Sequence, residues 1–262
     1  MKKIALITAL GGLAVMGFAQ SSPIVVNSGY NFDGIANGSE ANYASNLAAV
    51  QATTTGPLDG IYVFFEQGFL TDNPSYGLPV GGAFTSAGDG TNFQFGNYAA
   101  NNVLLLNAAG TGLDNSGSLS FAGASYTSLS FLVDGFNGDQ PGSFELDFSD
   151  GSNTIGNFTA TDNFGNADNA LSGFGRVSYQ DAGEQVGNGE PTMFQINYTL
   201  SSQDAAKTLT SILFTNNETA NDAGQNIAIW AISGQPQAVP APSALLGFGV
   251  CGLALLARRR RA

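Results

Sequence analysis

The sequence contains no histidine, and it has one cysteine and one tryptophan in 262 residues. Without histidine, a Ser-His-Asp triad, a Cys-His pair and a histidine-ligated metal site are all excluded. The single cysteine, Cys251, lies in an apolar C-terminal stretch, so the rest of the chain has no disulfide and no thiol chemistry. Charged residues make up 11% of the chain, below the roughly 25% of ordinary soluble domains. Together with 35 glycines, this composition is typical of an extracellular β protein, and we predict no enzymatic activity and no catalytic residues.

Basic residues are concentrated at the two ends of the chain. Lys2, Lys3 and the four arginines at 258–261 account for six of the eight, whereas all twenty acidic residues lie between Asp33 and Asp222. The interior therefore has two basic residues against twenty acidic ones. So acidic a body repels nucleic acid and anionic lipid headgroups, and the charge keeps a secreted domain soluble. We expect no nucleic-acid partner.

The N-terminus has the organisation of a secretory signal peptide. Lys2 and Lys3 precede an uncharged apolar run at 4–18, which is too short for a stable spanning helix. Gly17 and Ala19 supply small residues at the −3 and −1 positions of a cleavage site. The sequence predicts a signal peptide over 1–19, cleavage between Ala19 and Gln20, and export of the chain.

The C-terminus combines a proline motif, an apolar run and a basic end. Pro240, Ala241 and Pro242 follow a predicted linker at 235–239, and Ser243 is suited to cap a helix at 244–257. At about 1.5 Å per residue, that helix would span roughly 21 Å, less than the roughly 30 Å hydrocarbon core of a bilayer. It would hold the chain briefly in the inner membrane, with Arg258, Arg259, Arg260 and Arg261 on the cytoplasmic side.

This tail resembles the PEP-CTERM sorting signal of bacteria with an outer membrane. In that family a short Pro-Glu-Pro-like motif, an apolar helix and an arginine-rich end occur in this order, and residues 239–262 follow it with Ala241 in the usual place of glutamate. The resemblance implies a membrane-embedded exosortase that cuts near the proline motif and delivers the body to the cell surface or extracellular matrix, by the logic of a removable anchor. A permanently anchored single-span protein is the alternative.

The body, residues 20–234, reads as one all-β domain. Apolar residues alternate with polar ones over many short segments, as in Phe144, Leu146 and Phe148, and Asp-Gly and Asn-Gly pairs supply turns between them. The predicted strands are 24–32, 61–65, 93–98, 103–107, 118–121, 129–133, 143–148, 155–161, 176–179, 193–200, 209–215 and 227–233. One short helix is predicted over 40–52, uncapped, with Ala44, Leu47, Ala48 and Gln51 on one face. We expect a jelly-roll-like β-sandwich, a hairpin loop over 134–142 and Trp230 in the core.

Candidate binding chemistry is limited to oxygen ligands and aromatic rings. The acidic turns are compatible with a structural calcium ion. Its candidate ligands are Asp134 and Asp139 in one loop and Asp147 and Asp150 beside the next turn. No other cofactor is expected.

The main hypothesis is a non-enzymatic surface or matrix protein. The first alternative is a carbohydrate-binding module that retains exopolysaccharide and stacks sugars on Tyr30, Tyr62, Tyr76 or Tyr98. The second is a hydrolase that uses Glu145 and Asp147, which two-residue spacing puts on one strand face.

Overall fold

The structure is a computed structural model that describes residues 20–108, 114–164, 169–187, 191–219 and 224–237. It is all-β, with two short helices, α1 (Asn46–Thr53) and α2 (Ser202–Ala205), and single 3-10 turns at Glu40–Asn42 and Val80–Gly82. The strands are β1 (Ser22–Ile24), β2 (Val26–Ser28), β3 (Ile35–Ala36), β4 (Tyr62–Phe65), β5 (Ala83–Thr85), β6 (Asn92–Gln94), β7 (Leu104–Asn107), β8 (Ser116–Ala124), β9 (Tyr126–Gly135), β10 (Gln140–Phe148), β11 (Asn153–Ala160), β12 (Asn169–Ser172), β13 (Arg176–Ser178), β14 (Glu184–Gln185), β15 (Thr192–Thr199), β16 (Leu209–Asn216) and β17 (Asn226–Pro236).

Two antiparallel sheets form the predicted sandwich. Sheet A has the order β1-β17-β9-β15-β12, with β7 also paired to β17, and sheet B has the order β11-β10-β16-β8-β2. Their facing side chains make the first core, in which the ring of Phe131 from sheet A lies 5.1 Å from Phe144 and 5.2 Å from Phe214 of sheet B. The alternation read from the sequence is confirmed, because Phe144, Leu146 and Phe148 are buried in this core.

A third layer covers part of the other face of sheet A. It consists of the small sheet β14-β13-β4-β3, in which β3 and β4 are parallel, and of the hairpin β5-β6. Trp230 is fully buried in this second core, with its ring 5.3 Å from Phe64 and 6.3 Å from Phe95, so its predicted place in a core is confirmed. Sheet A is thus buried on both faces here, which explains the nearly continuous apolar run of β17.

The predicted hairpin over 134–142 is wrong. Strand β9 continues to Gly135 and β10 begins at Gln140, and the two pair in different sheets, so the four residues between them cross the sandwich. Asp134 is therefore a strand residue with a buried side chain and not a loop residue.

The predicted helix over 40–52 is shorter and differently oriented. Helix α1 begins after Ser45, whose Oγ accepts a hydrogen bond from the Ala48 backbone N–H at 3.2 Å, so a cap is present. The buried residues are Ala49 and Val50, which lie outside the predicted apolar face. Apolar residues are distributed almost evenly around the helix, and for this reason the sequence pattern did not identify the buried face.

The predicted signal peptide and the predicted sorting tail lie almost wholly outside the described residues. Gln20 is the first residue described, and Ala19, the proline motif at 240–242, the helix at 244–257 and the arginines at 258–261 are not described. Strand β17 continues to Pro236, so the first two residues of the predicted linker belong to a strand. Among the described residues, neither helix has the length and apolarity needed to cross a bilayer.

Candidate functional site

On one face of sheet A, strands β17 and β9 change from apolar to polar side chains at the same register, and the adjacent strand β15 changes one row earlier, between Met193 and Gln195. In β9, Leu132 is paired with Ala231 of β17 and with Gln195 of β15. The next residues along that face are polar in every strand. They form two rows across β17, β9 and β15, which are Ser233–Ser130–Asn197 and Gln235–Ser128–Thr199. This register marks the boundary at which the third layer stops covering sheet A.

The turn between β5 and β6 forms one wall of the uncovered region. Asp89 and Gly90 are exposed at this turn, Gly90 has a φ of 80°, and Thr91 is buried. The resulting groove has a volume of about 530 Å³. Its lining residues are Gln20, Ser21, Asp89, Gly90, Thr91, Ser128, Ser130, Asn197, Thr199 and Gln235. We call it the polar groove.

A hydrogen-bond network centred on Asp89 organises the polar groove. Asp89 Oδ2 accepts hydrogen bonds from Gln195 Nε2 at 2.8 Å and from Asn197 Nδ2 at 3.0 Å. Its other oxygen, Oδ1, accepts the Thr91 backbone N–H at 2.9 Å. Asn197 Oδ1 in turn accepts from Gln195 Nε2 and from Ser130 Oγ, both at 2.6 Å. A residue of the third layer thus fixes the amides of a strand in sheet A.

The network also determines the charge of Asp89. Burial acts to raise the pKa of this carboxyl, but hydrogen bonds from Thr91, Asn197 and Gln195 outweigh it and hold the pKa below its ordinary value. Asp89 is therefore ionised throughout the neutral and mildly acidic range. The polar groove contains one fixed negative charge among hydroxyl and amide groups, which can donate and accept hydrogen bonds.

Asp134 has no place in a calcium loop. Its side chain is fully buried, and Oδ2 accepts a hydrogen bond from Trp230 Nε1 at 2.9 Å. Among the described residues, Oδ1 has no hydrogen-bond partner. Burial raises the pKa of Asp134 well above its ordinary value, and the nearby charge of Asp162 adds to this effect.

The other predicted calcium ligands are engaged separately. Asp139 Oδ1 accepts the Asp162 backbone N–H at 2.8 Å, next to the start of β10. Asp147 and Asp150 lie at the opposite end of β10, where they accept hydrogen bonds from Ser211 and Ser152. The part of the chain that the structure describes contains no group of three or more acidic, histidine or cysteine side chains able to hold a metal ion.

None of the four tyrosines predicted to stack on sugars lines the polar groove. Tyr30 and Tyr98 use their hydroxyls inside the fold, donating to the carbonyls of Trp230 at 2.8 Å and Pro79 at 3.0 Å, and burial raises the pKa of both. They also line two clefts of about 420 and 400 Å³ that share Gly96 and Asn97. The ring of Tyr62 is covered by the guanidinium of Arg176 at 3.8 Å. Tyr76 packs against a smaller apolar cluster inside the third layer.

Glu145 and Asp147, the carboxylates of the hydrolase hypothesis, lie on the outer face of sheet B. Glu145 accepts a hydrogen bond from Asn153, and Asp147 accepts one from Ser211 at 3.0 Å. They share a strand face, as two-residue spacing predicts. That face is on the opposite side of the sandwich from the polar groove.

Sequence reasoning did not predict the residues of the polar groove. The usable signal was the mixed face of β9, where Ser128 and Ser130 share a face with Leu132, combined with Gln195 and Asn197 in β15. Taken alone, each strand has the polarity pattern of an ordinary strand with one solvent-exposed face. The site is visible only when the register places these polar residues in adjacent rows.

Comparisons with known proteins place the chain in no family. No family model matches the sequence, and no curated protein matches it. Among solved structures, the chain is similar to the CBM22-1–GH10 modules of the Clostridium thermocellum endo-1,4-beta-D-xylanase 10B complexed with xylohexaose, at a TM-score of 0.25 and 10% identity. That match covers 62% of this chain and 25% of the xylanase chain.

A second similar structure is the family 11 carbohydrate-binding module from Clostridium thermocellum, in complex with a beta-1,3-1,4-mixed-linked tetrasaccharide. Its TM-score is 0.22 at 10% identity, and the match covers 51% of this chain and 82% of the module. At such TM-scores neither structure bears on the ligand of this protein.

Proposed function

We propose that this protein binds a polysaccharide in the polar groove. The observation that carries the proposal is the pair of polar rows across three adjacent strands, on a face whose other half is a core. Sugar hydroxyls both donate and accept hydrogen bonds, as do the hydroxyls and amides that line the groove. A volume of about 530 Å³ lies within the range of small-ligand sites, so the groove suits a short stretch of a glycan.

The proposal is for binding and not for hydrolysis. A glycosidase of the usual kind needs two carboxylates roughly 5–9.5 Å apart across the scissile bond. Asp89 is the one carboxylate among the described residues that line the polar groove. Its oxygens accept hydrogen bonds from Thr91, Gln195 and Asn197, so its role in the free protein is to hold the binding amides in position.

Removing two groove side chains is expected to weaken polysaccharide binding. The double variant Asn197→Ala/Thr199→Ala should lower affinity about tenfold or more, because each lost hydrogen bond contributes roughly 0.5–1.5 kcal/mol and Asn197 also orders its neighbours. Ser128→Tyr should have a similar effect by filling the groove. The measurement is affinity electrophoresis of the purified protein in gels that contain neutral and acidic polysaccharides.

Asn157→Ala/Thr159→Ala is the matched control, since these exposed residues lie on β11 at the edge of sheet B. It should migrate like the unmodified protein in every gel. Equal retardation of the groove variants and the control would refute binding in the polar groove, and the absence of retardation by any polysaccharide would refute the proposed function as a whole.

We further propose that the protein is exported and that an exosortase removes its tail, leaving a cell-surface or matrix protein. The support is in the sequence, where short apolar runs beside basic residues occur at both ends of an acidic body. Permanent anchoring by the apolar helix is the rival hypothesis. A polysaccharide-binding domain released in this way would remain attached to the extracellular material that it binds.

The mass of the exported protein distinguishes processing from anchoring. We expect it to begin at Gln20 and to end within residues 239–242, so that the arginines at 258–261 are absent. Ala241→Glu, which introduces the residue usual in the PEP-CTERM family, should increase the processed fraction, whereas Gln237→Glu, with the same added charge outside the motif, should not. An exported protein that retains the four arginines would rule out processing.

A further inference from the structure

Asp89 gives the polar groove a charge that no lysine or arginine side chain compensates. Its carboxylate is exposed at the β5-β6 turn, and all its recorded hydrogen bonds come from neutral donors, namely Thr91, Gln195 and Asn197. No lysine or arginine occurs among the described residues that line the groove. Among the side chains of the groove, a ligand group placed beside Asp89 therefore meets only a negative charge.

The basic residues of the body are engaged elsewhere. Arg176 forms an ion pair with Asp59 at 3.1 Å, and its guanidinium lies between the rings of Tyr62 and Phe164. Lys207 is paired with Asp204 at 2.9 Å. These are the two basic residues that the chain has between Lys3 and Arg258. The side chains of the body can therefore offer an anionic polymer no additional cationic contacts, and the one further cation would be an α-amino group at Gln20 after cleavage.

We infer that the polar groove binds a neutral polysaccharide and rejects polyuronates, with Asp89 as the residue that determines this specificity. The inference rests on the proposed function. A neutral sugar brings no charge to the Asp89 carboxylate, whose oxygens already accept hydrogen bonds from Thr91, Gln195 and Asn197. A uronate chain carries a carboxylate on every sugar, and in a groove only a few sugars long one of these falls near Asp89. Two carboxylates at short range without a cation repel each other.

The geometry of the groove strengthens this discrimination. The lining crosses β17, β9 and β15, which are about 4.8 Å apart, so the groove floor is only about 10 Å wide between its outer strands. Asp89 stands at the β15 side, bonded to Asn197 in the row that includes Ser130. A polysaccharide that binds along the two polar rows therefore lies close to the Asp89 carboxylate.

The test compares the affinities of the purified protein for neutral and anionic polysaccharides of similar length. The probes are a mixed-linkage β-glucan, a galactomannan and polygalacturonate, measured by isothermal titration calorimetry at about 50 mM salt without divalent cations. The pH is about 9, because an α-amino group at Gln20, which lines the groove, is then largely uncharged. We expect at least one neutral probe to bind about tenfold or more tightly than polygalacturonate. Raising the salt to about 500 mM should narrow the ratio, because screening weakens repulsion between exposed charges.

Asp89→Asn should reduce the ratio to about threefold or less, because the amide keeps an acceptor oxygen and loses the charge. Asp72→Asn is the control, with the same change in net charge at an exposed position outside the groove. Equal affinity of the unmodified protein for both classes, or an equal effect of the two variants, would overturn the inference and leave the proposed function standing. Failure of every probe to bind would instead overturn the proposed function.

Discussion

Replacing Trp230 by alanine is expected to lower the free energy of unfolding by about 3–5 kcal/mol. The ring is fully buried and lies between sheet A and the third layer, against Phe64 and Phe95. Its loss would leave a cavity in a core that holds the third layer in place, and it would leave Asp134 without the N–H that donates to it. Urea unfolding followed by far-ultraviolet circular dichroism measures the difference.

Trp230→Phe separates packing from hydrogen bonding in this prediction. Phenylalanine keeps an aromatic ring near Phe64 but cannot donate to Asp134, so the loss of stability should be smaller than that of the alanine variant. Leu213→Ala, a half-buried residue on the outer face of sheet B, is a control for truncation away from the second core. A loss below about 1 kcal/mol for Trp230→Ala would mean that the third layer does not depend on this ring.

Asp134→Asn is expected to stabilise the protein at neutral pH by about 1 kcal/mol or more. Burial raises the pKa of Asp134 in the folded state, so the folded protein holds a proton that the unfolded chain releases above its ordinary pKa of 3.8. The stability that the protonated carboxyl contributes is fully present below that pH and is lost as the pH rises toward the raised pKa. Asparagine does not ionise, and its oxygen can still accept from Trp230 Nε1.

Thermal unfolding from about pH 4 to about pH 8 tests this prediction. The melting temperatures of Asp134→Asn and the unmodified protein should diverge as the pH rises and converge near pH 4. Asp72→Asn changes the net charge equally at an exposed position, so its offset should not show this pH dependence. A constant difference between Asp134→Asn and the unmodified protein would show that Asp134 does not hold its proton in the folded state.

The long strands could be predicted from the sequence because their two faces differ in polarity. Strands β8, β10, β15 and β16 each have apolar residues in the first core and polar residues on the other face, and the predicted segments overlap all of them. The third layer was harder to predict, because strands such as β3 and β14 are two residues long and have no room for an alternating pattern. Their positions depend on tertiary contacts that local sequence does not encode.

The polar groove could not be predicted for a different reason. Ser128, Ser130, Gln195 and Asn197 are individually ordinary residues for the solvent face of a strand. Their significance comes from β15 being adjacent to β9, although 56 residues separate the ends of these strands in sequence, and from the turn that brings Asp89 over them. Of the acidic residues singled out in the sequence, Asp134 is buried, Asp150 caps a turn, and Glu145 and Asp147 lie on the outer face of sheet B.

The position of β17 has a consequence for how the molecule is made. This strand is the last of the body to leave the ribosome, yet it lies in the interior of sheet A, with β1 and β7 on one side and β9 on the other. Until it arrives, the first strand has no neighbour to pair with and neither core can close. The body can therefore complete its fold only after nearly all of it has been synthesised.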